Sequence, residues 1–143
     1  MRQTHKKNKK KIRRGKKGSA LVEMALVIPI FLLVMVGIVE FSRVLMAQQV
    51  ITNAAREGAR TGSIYFDKTT AISKAVSISQ NYLISSGIDP APATVTPSVT
   101  TTGGIPALQV LIDYNYDSLL TGFIPGSPQT FALHSTVVMR REI

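Results

Sequence analysis

From Met24 to Val39 the chain reads MALVIPIFLLVMVGIV, with no charged side chain anywhere in the run. A helix rises about 1.5 Å per residue and a bilayer's hydrocarbon core is about 30 Å thick, so this run alone covers most of a membrane crossing. The chain is therefore expected to be built around a membrane anchor. Glu23 stands directly before the run. A carboxylate in a membrane segment costs about 2.5–3.5 kcal/mol at the helix centre and less near the end, so Glu23 needs a partner or a purpose.

Charge divides the chain at the same place. Ten of the 17 Lys and Arg residues precede Gly18, and all eight Asp and Glu residues follow it, so the formal charge of +9 belongs to the leader. By the positive-inside rule, a basic segment directly before a membrane helix stays in the cytoplasm. The chain beyond Val39 then lies outside. Basic runs also bind nucleic-acid phosphates, but this one has no interleaved aromatic for base stacking, and no nucleic-acid partner is expected.

An ordinary secretory signal peptide fits poorly. The apolar run is longer than the usual 7–15 residues, Glu23 interrupts the segment, and Leu45-Met46-Ala47 has a bulky residue where a cleavage site wants a small one. The sequence holds no cysteine, which excludes both a lipid-modified Cys and a disulfide. The external part must be held by burial or by assembly.

A basic leader, Gly18, Ser19 and a hydrophobic helix with Glu23 five positions after the glycine together resemble a type IV pilin signal. That resemblance implies cleavage by a prepilin peptidase between Gly18 and Ser19. It also implies that Glu23 meets the free amine of a neighbouring subunit during assembly, where low dielectric strengthens such a pairing. Without the glycine and the leader, Glu23 would read as a carboxylate snorkelling to the inner interface. A longer resemblance is more specific. The blocks Ser19 to Pro29, Gly37 to Arg43 and Asn53 to Arg60 look like the helix of TadE-like minor pilins, or pseudopilins, of tight-adherence (Tad/Flp) pilus systems. The terminal TVVMRREI is similar to that family's last strand and tail. The resemblance implies other pilins, the Tad membrane assembly platform and membrane lipid as partners.

On physical grounds, Pro29 should kink or loosen the helix, and Glu40 and Arg43, three apart, can pair at the outer membrane interface. Ala54, Gly58 and Gly62 form a stripe of small residues that admits another helix or the chain's own second layer. Arg56, Glu57 and Arg60 lie beside it, either as a solvated face or as a subunit contact. Asp67 is a candidate N-cap for an amphipathic helix reaching Ser86, with Gly87 as its stop. After the Asp89-Pro90-Ala91-Pro92 linker come a Thr- and Val-rich stretch, Thr94 to Thr101, and two alternating segments, Leu108 to Tyr116 and Phe131 to Met139. The Asp117 to Gln129 connection carries Leu119, Leu120, Phe123, Ile124 and Pro125, expected to cap the core more than to form a contact surface.

The expected fold is α+β: a long membrane-spanning helix that extends outside, packed with a short helix and a small antiparallel sheet. Three parts are expected: leader 1–18, helix 19–62 and extracytoplasmic domain 63–143. Catalysis is not expected. His5 and His134 lack accompanying ligand spacing, Asp113 and Asp117 need not converge, and no phosphate loop or nucleophile elbow is present, so no metal, cofactor or catalytic residue is assigned. The resemblance points to a processed minor pilin or pseudopilin of an adhesive pilus in a bacterial cell membrane. The alternative is an uncleaved single-pass envelope protein with an external binding domain.

Overall fold

The computed structural model describes residues 15–122 and 126–141; the leader through Arg14 and the apolar residues Phe123, Ile124 and Pro125 lie outside the described part. Helix α1 spans Gly15–Ser63 and runs through Pro29 without a break in its assignment. Hydroxyls within it bond back to carbonyls four residues earlier, Ser42 to Ile38 at 2.8 Å and Thr52 to Gln48 at 2.7 Å, which accommodates them in a helix interior. Contacts divide the chain into two units, Met1–Val36 and Gly37–Ile143.

Helix α2, Lys68–Ser85, begins where Asp67 accepts a hydrogen bond from the Thr70 amide at 2.7 Å. Its end is closed by Ile88 N–H to Leu83 O and Gly87 N–H to Ile84 O, both 3.0 Å, the paired bonds of a Schellman cap. Three strands follow: β1 Ala93–Thr102, β2 Ile105–Asp117 and β3 Thr130–Arg140, in the antiparallel order β1-β2-β3. The β1–β2 turn is the pair Gly103-Gly104, both at positive φ, as a two-residue hairpin of the primed type requires. The α+β class read from the sequence is the one observed.

Register places the alternating residues on one face. Cross-strand rows run Pro97–Val110–Val137, Val99–Leu108–Met139 and Val95–Ile112–Ser135. This face closes over Ile51, Ala54, Ala55 and Ala59 of α1 and Ala75 and Leu83 of α2, giving one buried cluster. The opposite face carries rows such as Thr94–Asp113–His134 and Thr96–Leu111–Thr136, with the outer-strand residues exposed. Pro97 is tolerated in β1 because an edge strand can turn the missing N–H toward solvent.

Candidate functional site: the long helix and its polar positions

Within Met1–Val36, the described side chains of α1 are almost uniformly exposed, including Leu21, Leu26, Ile30 and Phe31. Among the described residues, α1 is the one helix long and apolar enough to cross a membrane. Gly18 lies in its first turn, and a Cβ built there would meet nothing within 4 Å. Ser19 and Glu23 are exposed, and no ion pair or side-chain hydrogen bond reaches Glu23 among the described residues. A carboxylate on a lipid-length apolar helix is thus left without an intramolecular partner.

The Gly37 to Arg43 block is differently placed. Glu40 is only 3% exposed; its Oε1 accepts the Leu119 amide at 3.0 Å and its Oε2 accepts the Tyr116 hydroxyl at 3.5 Å. Burial, with the Glu40 charge beside it, pushes the Tyr116 hydroxyl above its ordinary pKa. Arg43 sits with its guanidinium 5.8 Å from the centroid of the same ring, a cation–π distance. The expected pairing of Glu40 with Arg43 is therefore corrected. The carboxylate turns inward to a main-chain donor at the start of the short 3-10 helix Leu119–Gly122, and Arg43 takes the ring face instead. A buried N–H without an acceptor costs more than an exposed ion pair contributes, which settles the competition for Glu40.

Higher on α1, Ala54, Gly58 and Gly62 pack against the chain's own second layer. A Cβ on Gly58 would collide with Ser79 Oγ and come 2.9 Å from the Ala75 carbonyl oxygen; one on Gly62 would meet Leu108 and lie 2.9 Å from the Ala71 carbonyl oxygen. The close approach lets Ser79, fully buried on α2, donate to the Ala54 carbonyl at 3.1 Å. Arg56 is exposed on the opposite side. Glu57 and Arg60 form a two-point ion pair, 2.8 and 3.2 Å, that lowers the Glu57 pKa chiefly through the hydrogen bond from Arg60.

Sequence reasoning missed three polar contacts. Leu119 contributes through its amide, which no residue type advertises. His134 Nδ1 meets Asp113 Oδ1 at 2.5 Å across the β2–β3 pair, although each had been read as a separate surface residue. Arg141 donates to the Tyr65 and Phe66 carbonyls at 2.6 and 2.5 Å, tying the end of the chain to the α1–α2 corner. No group of three or more His, Cys, Asp and Glu able to hold a metal occurs among the described residues.

These features define a membrane-anchored α+β protein whose polar helix positions fall into two sets, one used up inside the fold and one left outward. The family described as TadE-like protein matches residues 18–60, so the long helix carries the TadE-like signature of Tad pilus systems. Comparison with curated proteins and with solved structures gave no match.

Proposed function

We propose that the chain is the precursor of a minor pilin or pseudopilin that takes part in assembling a Tad/Flp-type adhesive pilus. The observation that carries this reading is the TadE-like match over 18–60 on a helix whose one membrane-level carboxylate, Glu23, has no partner among the described residues of its own chain. The precursor waits as a membrane protein with its basic leader in the cytoplasm, as the positive-inside rule directs. A prepilin peptidase cuts between Gly18 and Ser19. Glycine in a helix costs about 1 kcal/mol relative to alanine, and the first turn has the fewest hydrogen bonds to break, so this turn opens readily into an extended protease substrate.

Cleavage removes the ten leader charges that hold the chain against extraction and creates a free amine at Ser19. During assembly by the Tad platform, Glu23 of one subunit pairs with the Ser19 amine of its neighbour, which sets the register of the packed helices. Other pilins and lipid are the contacts of the exposed apolar helix. The role is structural, with no reaction catalysed.

The test is the N-terminal residue and intact mass of the protein isolated from its native membrane. A start at Ser19, and accumulation of an uncut, assembly-defective precursor when Gly18 is replaced by a bulky residue, are expected. A start at Met1 with an active peptidase present would overturn the proposal and favour a permanent single-pass envelope protein.

A further inference from the structure

The sheet has two open edges, and they are not equivalent. On β1 the edge is interrupted by Pro97, which has no N–H to offer an added strand. On β3 there is no proline from Thr130 to Arg140. The Gln48 side chain of α1 donates to the His134 carbonyl at 2.9 Å, which shows that the main-chain groups of His134 point away from β2. In a strand the outward groups recur at every second residue, so the N–H and C=O of Thr136, Val138 and Arg140 point outward as well. Among the described residues, no main-chain partner reaches these three.

Helix α1 runs beside this edge. It is pinned to β3 below by Gln48 on His134, and Arg141 pins the far end to the carbonyls of Tyr65 and Phe66, just beyond α1. Between those pins, Gln48 to Ser63 covers about 22 Å of helix and His134 to Arg141 about 23 Å of strand, so the two advance in step. Thr52 and Arg56, one and two helical turns above Gln48, therefore flank the unpaired edge. Arg56 and Arg140 make no ion pair among the described residues, and Val138 is 46% exposed. The result is a trough with main-chain donors and acceptors along one wall, a helix flank along the other and two free cations above.

We infer that the β3 edge from His134 to Arg140 is a docking groove for one extended segment of a partner protein, a segment that carries carboxylates. The segment adds a fourth strand beside β3, and its acidic side chains meet Arg56 and Arg140. A folded second copy is disfavoured as the occupant because α1 stands beside the edge and leaves room for a single strand, and because the other edge, on β1, lacks a donor at Pro97.

The test uses the isotope-labelled full chain in detergent micelles with the peptide acetyl-Val-Glu-Val-Thr-Val-Glu-amide as the probe. Slowed amide exchange at Thr136, Val138 and Arg140, with none along β1, is expected. Arg140→Glu, which leaves the backbone donors in place, should weaken the peptide about tenfold by replacing attraction with repulsion. Val138→Pro should abolish binding by removing the central donor. Protection confined to β1, no protection anywhere, or peptide affinity unchanged in Arg140→Glu would overturn the inference. Protection that grows with protein concentration in the absence of peptide would overturn it in favour of self-pairing. The measurement depends neither on leader cleavage nor on filament formation, so its failure leaves the pilus proposal intact.

Discussion

Replacing Gly58 by alanine tests whether the small-residue stripe serves the fold of the chain itself. The added methyl would stand 2.9 Å from the Ala75 carbonyl oxygen, a main-chain atom held in α2, and would collide with Ser79 Oγ. Ser79 can relieve part of the collision only by giving up its bond to Ala54. Overpacking of this kind costs about 1–3 kcal/mol and the lost hydrogen bond about 1 kcal/mol more. The better helix propensity of alanine returns about 1 kcal/mol, leaving a net loss of about 1–3 kcal/mol. For a unit near 100 residues this lowers the melting temperature by about 5–15 °C. Gly37→Ala is the control, because a Cβ there meets nothing within 4 Å. It should gain up to about 1 kcal/mol from propensity alone. Thermal unfolding of the full chain in micelles, followed by near-ultraviolet circular dichroism, reads both. A Gly58→Ala variant that melts at or above the wild-type temperature would refute the packing argument.

Other outcomes follow from the same contacts. Glu40→Ala strands the Leu119 amide and should cost about 1–3 kcal/mol, with faster exchange of that amide as the local sign; Glu40→Gln, which keeps an acceptor oxygen, should cost less. The Thr70 amide holds the Asp67 carboxyl below its ordinary range, and the Arg60 hydrogen bond does the same for Glu57. The folded chain therefore takes up these protons at lower pH than the unfolded one. Their contribution is whole above the unfolded carboxylate pKa values and is lost as pH falls through the depressed ones. Acid titration of helicity should show that loss, and Asp67→Asn should flatten it. Arg141→Ala removes two charge-assisted bonds to main-chain carbonyls and should cost about 1–3 kcal/mol, read as loosened exchange protection at the α1–α2 corner.

The elements were legible because each has a strong period. The uncharged run announced α1, and Asp67 with Gly87 bracketed α2 to within a residue of its observed limits, Lys68–Ser85. The alternation from Leu108 to Tyr116 gave the central strand and its buried face. What sequence could not supply was the identity of the atoms brought to each polar position. Three-residue spacing says that Glu40 and Arg43 share a helix face, but not that a main-chain amide 79 residues away will cover it. The Asp113–His134 contact requires the β2–β3 register, and no local pattern fixes which residues of two distant strands lie opposite each other. The stripe of Ala54, Gly58 and Gly62 predicted a close neighbour without saying whose; the ring of α2 and sheet atoms around it is the answer.

Two carboxylates on one helix show how the same residue type divides between folding and assembly. Glu40 is buried, and its oxygens are taken by an amide and a hydroxyl from the strand-and-loop layer, so removing it subtracts from the stability of the compact unit. Glu23 is exposed on an apolar surface, and no partner among the described residues stabilises it. Desolvation in lipid penalises the charge. Nothing in the fold compensates, so a free energy of this sign persists only if something outside the chain offsets it. The proposed pairing with a neighbour's amine supplies that offset and, because it exists only after cleavage at Gly18, makes assembly conditional on processing. Glu23→Gln should then leave thermal unfolding of the compact unit unchanged while reducing incorporation of processed subunits into filaments. Glu40→Gln should do the reverse, lowering the melting temperature while the subunits that remain folded still assemble. If Glu23→Gln instead unfolded the compact unit, or if processed Glu23→Gln subunits assembled as well as the wild type, the division between the two carboxylates would be wrong.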